Sequence, residues 1–155
     1  LSSDDRWNNI FTIASKIKRF NIQPKIAMLS YSNFGSSIGK DPLKMKQAVE
    51  ILHKEHPSLV VDGEIQANFA LNNELMLEKF AFSHLANKKV NTLIFPNLSS
   101  GNIAYKMLQE MTNSEAIGPV LLGLKKSVHV LQIGTSVREI VNMVKIAVID
   151  AQNKK

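Results

Sequence analysis

Lys25-Ile26-Ala27-Met28-Leu29-Ser30-Tyr31, followed at once by Ser32-Asn33-Phe34-Gly35-Ser36-Ser37-Ile38-Gly39-Lys40-Asp41-Pro42, decides the fold. The first stretch is a short apolar run behind Pro24, too brief for a helix, and reads as a buried strand. The second is rich in Gly, Ser and Asn, the composition of a tight loop. Pro42 suits the first turn of a helix, with Asp41 as its cap, and that helix runs to His56 before Pro57 stops it. Strand, loop and helix in this order are the unit of a parallel sheet with crossover helices.

The same grammar extends to both sides. Upstream, Asp4 to Phe20 is an amphipathic helix, with Ile10, Phe11, Ile13, Ala14, Ile17 and Phe20 at helical spacing. Downstream, Ser58 to Asp62 is a second strand and helical patterning returns from Glu64 to Leu77. Asn91 to Phe95 is a third strand, cut by Pro96, after which Ser99 or Ser100 caps a helix to Met111. Gly118 to Leu124 is apolar, Val128 to Ile133 is extended, and a long helix closes the chain from Ser136 to Gln152. The expected fold is α/β, three-layer α/β/α, with a mostly parallel mixed sheet, and the 155 residues form a single domain fragment. In such sheets ligands bind beyond the carboxyl ends of the strands. Those ends here are Ser30–Ser37, Asp62–Gln66 and Pro96–Asn102, all rich in polar side chains.

Composition narrows the chemistry. Apolar residues make up 45% and charged residues 21%, as in ordinary globular domains. The absence of cysteine excludes a disulfide scaffold, a thiolate nucleophile and a cysteine metal site. No apolar run reaches the ~20 residues of a membrane span, and the polar N-terminus has no signal-peptide core, so a cytoplasmic location with no membrane partner is expected. A start without Met, at the edge of a helix, suits a piece of a longer protein. The net charge of +6 is spread over scattered lysines, with adjacent pairs only at Lys88-Lys89, Lys125-Lys126 and Lys154-Lys155. No basic stripe alternates with aromatics, so no nucleic-acid partner is expected; the charge is a solvated surface or an attraction for a small polyanion.

Single motifs leave alternatives open. Small residues after a strand can aim backbone N–H groups at an anion, or form a plain crossover loop. Gly35 to Asp41 is one residue short of a P-loop and lacks its final Ser or Thr. Asp62 and Glu64 read as helix-start carboxylates, or as an acid/base pair or cation ligands. Ser136-Val137-Arg138-Glu139 has capping-box spacing, which makes Glu139 a helix-start residue before a catalytic base. His53 and His56 fall in the last turn of a helix, where they complement its dipole. His-Glu-x-x-His is missing, no metal site is expected, and the methionines fall at core positions.

The order of several phrases carries more than any one motif. Ile26-Ala-Met-Leu-Ser-Tyr-Ser32 with Gly35-Ser36, Leu59-Val-Val-Asp-Gly-Glu-Ile-Gln66, Asn91-Thr-Leu-Ile-Phe-Pro-Asn-Leu98 with Ser100-Gly-Asn-Ile-Ala-Tyr-Lys106, and Glu115-Ala-Ile-Gly-Pro119 with Gly123 follow one another at fixed spacing. Together they resemble the C-terminal half of the phosphate acetyltransferase (phosphotransacetylase) family, over nearly the whole chain. The resemblance implies that family's isocitrate/isopropylmalate dehydrogenase-like fold and a reaction moving acetyl between acetyl phosphate and coenzyme A. It also implies an Asn-Asp-Leu-Ser-Arg-Gly segment and a helix-start Asp that bind phosphate and activate the thiol.

This chain departs from that pattern where the chemistry lies. The aligned stretch is His129-Val-Leu-Gln-Ile-Gly134, with Gln132 for Ser, Ile133 for Arg and Glu139 for Asp. An aliphatic group cannot make a bidentate phosphate contact, and loss of such an electrostatic contact costs about 10²–10³-fold in rate. Asn68 and Asn97 replace two further family Asp residues. These departures resemble the domain appended to bacterial NADP-dependent malic enzymes. The resemblance implies a non-catalytic regulatory and oligomerising module that binds acetyl-CoA or CoA. Its ligand-binding candidates are Ser30, Ser32, Asn33, Gly35, Ser36, Asp62, Gln66, Asn97, Asn102 and Tyr105. The malic enzyme domains, with their NADP and divalent metal, would lie in an N-terminal region absent from this chain. Two rival readings are an active acetyltransferase with Glu139 as base, and a purely structural dimer module using the apolar helix from Ile140 to Ala151.

Overall fold

A computed structural model describes residues 3–112, 116–122, 124, 126–131 and 133–152, with side chains from Ile10 onward. The elements run α1 (Ser3–Lys18), β1 (Lys25–Leu29), α2 (Lys40–Glu55), β2 (Val60–Ile65), α3 (Ala67–Leu71), α4 (Asn73–Lys79), β3 (Thr92–Ile94), α5 (Leu98–Thr112) and α6 (Val137–Gln152). Two compact units divide at Ala104/Tyr105, inside α5.

In the first unit, β1 lies between β2 and β3, and both pairings are parallel. The central strand is buried on both faces, which is why its sequence is continuously apolar rather than alternating. Ile26 and Met28 point to one face, where they meet Ile10 and Ala14 of α1 and Met45, Val49 and Leu52 of α2. Ala27 and Leu29 point to the other, against Ile65, Ala70, Met76 and Leu85. Helices therefore cover both sides of an α/β sheet, as the alternating pattern predicts. A fully buried Leu, Ile or Met side chain contributes about 1.5–3 kcal/mol each, and most of these are under 5% exposed.

Several boundaries differ from the pattern reading. The second strand continues through Ile65, because the Glu64 carboxylate finds buried partners that let a charged residue stay in the sheet. The single helix expected over Glu64–Leu77 is instead α3 and α4, broken at Asn72, whose Oδ1 accepts from the Leu75 N–H and starts the second helix. Helix α2 begins at Lys40, so Asp41 lies in its first turn and Gly39 is the side-chain-free N-cap. Helix α5 begins at Leu98 with Asn97 Oδ1 accepting from Ser100 N–H, so the cap is Asn97 and not Ser99 or Ser100. His53 does more than complement a dipole: its Nε2 pairs with the Val61 carbonyl at 2.8 Å, while His56 stacks on Phe11 at 3.8 Å.

The second unit holds the end of α5, an irregular segment and α6. The extended run at Val128–Ile133 forms no strand pairing among the described residues. Met143 and Asp150 are its buried residues on α6, and Ser127 Oγ donates to the Ala147 carbonyl at 3.3 Å. Among the described residues no helix is long and apolar enough to cross a membrane.

Candidate functional site

The loop after β1 was read as a plain crossover or as a set of amides aimed at an anion; it turns its amides inward. Ser30 N–H extends the ladder to the Ile65 carbonyl, and Phe34 N–H donates to the Glu64 carbonyl. Gly35 N–H donates to Glu64 Oε1 at 2.5 Å and the Ser32 hydroxyl to the same oxygen at 3.1 Å. Ser37 N–H donates to Ser32 Oγ, and Asn33 N–H to Ser36 Oγ. The group filling this nest is thus the protein's own Glu64 carboxyl, buried at 1% exposure. Its second oxygen, Oε2, has no partner. Gly35 serves this loop through its positive φ of +91, not through crowding, since nothing lies within 4 Å of an added Cβ.

The second strand end is equally occupied. Asp62 lies in β2 and caps no helix. Its Oδ2 accepts from Ser83 Oγ at 2.8 Å and His84 N–H at 2.7 Å, and its Oδ1 from Gly63 N–H at 2.9 Å. Asp62 therefore staples the segment around Ser83 to the sheet, and no acid/base pair with Glu64 is visible in these contacts. Gln66 closes the loop from below, its Nε2 donating to the Tyr31 carbonyl at 2.7 Å and its N–H to Asn33 Oδ1 at 2.8 Å. Among the described residues no group of three metal-ligating side chains forms.

At the third strand end, Asn97 caps α5 and its Nδ2 reaches Asp41 Oδ2 at 3.2 Å. Lys44 pairs with Asp41 and donates to the Pro96 carbonyl, tying the start of α2 to the end of β3. Asn102 is exposed on α5. The structure thus gathers Ser30, Ser32, Asn33, Gly35, Ser36 and Gln66 around one carboxylate, while Asp62 and Asn97 form separate ties. Pattern reading missed an open groove of about 510 Å³ beside this loop, lined among others by Ile38, Lys40, Pro42, Leu43, Lys46 and Glu64. Its signal was the run Ile38-Gly-Lys-Asp-Pro42, which places a side-chain-free cap before a lysine.

In the second unit, Tyr105, Lys106, Thr135 and Glu139 border a cavity of about 60 Å³. The Lys106 ammonium lies 5.1 Å from the Tyr105 ring centre. The capping box read from sequence is present: Glu139 Oε2 accepts from both the Ser136 N–H and hydroxyl at 2.7 Å, and Ser136 Oγ accepts from Glu139 N–H at 3.3 Å. The Ser136 hydroxyl, then its N–H, hold the Glu139 carboxyl below the usual glutamate range; partial desolvation opposes this and the Lys106 charge adds to it. Ile133 projects fully into solvent. Gln132, Glu115, Gly123 and Lys125 lie outside the described residues.

A parallel sheet covered by helices on both faces, with a buried carboxylate wrapped by a Ser/Gly loop at one strand end, defines the first unit as an α/β protein of the layered type. The profile of the phosphate acetyl/butaryl transferase family matches residues 8–148, and the chain belongs to that family. It is 40% identical over 141 residues to an NADP-dependent malic enzyme of Haemophilus influenzae, covering 91% of this chain and 18% of that protein. It is 40% identical over 152 residues to a phosphate acetyltransferase of Clostridium acetobutylicum, covering 97% of this chain and 45% of that one. Among solved structures, a phosphotransacetylase from Streptococcus pyogenes superposes with a TM-score of 0.88 at 37% identity, over 98% of this chain and 46% of that one. EutD phosphotransacetylase from Staphylococcus aureus gives 0.86 at 32% identity, over 97% and 47%. The chain thus spans about half the length of the phosphotransacetylases and under a fifth of the malic enzyme.

Proposed function

We propose that this chain is the non-catalytic regulatory part of an NADP-dependent malic enzyme and binds acetyl-CoA as an effector. The observation that carries the reading is the turn before α6, where a bare isobutyl group, Ile133, stands fully exposed in place of a cation. A transferring phosphoryl group concentrates negative charge, and the side chain at this position has neither a donor nor a charge to meet it. Glu139 supports the same reading: its carboxylate is spent on the capping box and held more acidic than usual, which weakens it as a base for a thiol. Acetyl-CoA control then requires different affinities for two states of the parent enzyme. NADP and the divalent metal would belong to malic enzyme domains in the same polypeptide, and the likeness to a malic enzyme of which this chain covers 18% supports further domains there.

The test is calorimetric titration of the full-length protein with acetyl-CoA, beside an assay of acetyl phosphate turnover. Saturable binding with no turnover is the expected result; turnover without the Arg overturns the non-catalytic reading, and no binding overturns the effector. A working acetyltransferase is the second reading. It is favoured by Lys106, a cation already beside Glu139 in the cavity of the second unit. Ile133→Arg separates the two: appearance of turnover in the variant alone supports the first, and equal turnover in both supports the second.

A further inference from the structure

The second unit carries apolar surface that its own fold leaves open. Ser127 to Val130 alternates as a strand does. The Ser127 hydroxyl reaches the Ala147 carbonyl of α6 and lies 3.2 Å from His129 Nε2, and His129 Nδ1 is buried. Val128 and Val130 point the other way and are more than half exposed. The run at 118–122 is also apolar, with Leu121 and Leu122 over a third exposed. Neither stretch joins a sheet, and among the described residues the backbone groups of 118–122 and 128–131 meet no backbone partner. Free strand edges are normally guarded by charge or proline, and 128–131 contains neither. Helix α6 repeats the pattern. Met143 and Asp150 are buried within the unit, while Val137, Val141, Val144 and Val148 form a seam at spacings of four, three and four, each 45% exposed or more. A helix with apolar residues on two faces is built to be covered on both.

From this we propose that the second unit is the docking surface for the part of the parent protein outside this chain, which adds strands beside 118–122 and 128–131 and covers the valine seam. Added strands satisfy the open backbone groups, and their side chains bury Val128 and Val130. The occupant is apolar and extended, since the surface offers main-chain partners and aliphatic groups. A segment of the same polypeptide is favoured over a second copy by length: the phosphotransacetylases match this chain over nearly all of it, while more than half of their own residues lie outside the match. A tethered segment also docks at high effective concentration, which suits an edge without guards. The inference is independent of acetyl-CoA binding and of turnover, and neither result moves it.

The test is hydrogen exchange on the full-length protein and on the 155-residue chain. Amides of Val120 to Leu122 and Val128 to Leu131 should exchange at least about tenfold more slowly in the full-length protein, while those of β1 stay slow in both. Val128→Asp with Val130→Asp should shift the unfolding temperature of the 155-residue chain by no more than about 2 °C, because both sites are surface there, and lower that of the full-length protein by at least about 5 °C. If the double variant fails to fold at full length, Val144→Lys gives the same contrast from the seam. Fast exchange of both segments in the full-length protein, or equal thermal shifts in the two proteins, overturns the proposal. Slow exchange in the 155-residue chain together with a dimer in sedimentation also overturns it, since a second copy is then the occupant.

Discussion

Gly63→Ala should be among the most damaging single-methyl changes in the first unit. Gly63 has φ +136, a conformation that L side chains rarely adopt. Holding alanine there costs about 1–3 kcal/mol of backbone strain. A Cβ would also sit 2.5 Å from the Met28 carbonyl oxygen and 3.0 Å from Met28 Cβ. Met28 is wholly buried in the central strand, so it cannot retreat without disturbing both sheet pairings. Overpacking of this kind costs about 1–3 kcal/mol more, giving roughly 2–6 kcal/mol in all. Against a typical total of about 5–15 kcal/mol that is a large share. Gly35→Ala is the control: it shares a positive φ of +91 but has nothing within 4 Å of the added methyl. It should lose only about 1–2 kcal/mol. Urea unfolding of the two variants beside the parent reads the difference, and thermal unfolding should show Gly63→Ala lower by roughly 5–20 °C. Equal destabilisation by the two substitutions would refute the contact with Met28 as the cause.

Two further changes test the ties seen at the site. Asp62→Asn places an NH₂ where donors already converge, orphaning at least one buried N–H or hydroxyl among Gly63, Ser83 and His84, at about 1–3 kcal/mol; faster amide exchange at Gly63 or His84 is the readout, and unchanged protection would count against the staple. Ser136→Ala should let the Glu139 carboxyl titrate closer to the usual glutamate range, followed by NMR of its side-chain carbon. Because folding depresses this group, its support of the α6 start is complete above the usual glutamate range and is lost as pH falls through the lowered folded value. Acidification should thus loosen the first turn of α6 in the parent and do so less in the variant.

The layered α/β fold was legible because β1 is a short apolar run between Pro24 and a Gly/Ser loop, too brief for a helix and suited to a strand covered on both faces. The capping box at Ser136 and Glu139 was legible for a similar reason: its partners are three residues apart, so local spacing alone settles the geometry. The end of β2 was not legible. A carboxylate at position 64 reads as a helix start until the chain folds, because the groups that hold it, Ser32 and Gly35, lie 32 and 29 residues away. The loop amides followed the same course, since nothing local says whether a nest of N–H groups faces solvent or a buried side chain.

Short-range chemistry, written in residues a few places apart, therefore determined the alternation of strands and helices, the capping box of α6, the substitution of Ile133 and the family resemblance. Tertiary structure alone decided that the Ser/Gly loop is filled by Glu64, that Asp62 is a staple, and that an open groove adjoins an unpaired carboxylate oxygen. The physical reason is that a buried charge takes whatever donors the fold delivers, and those donors come from positions that no sequence period connects.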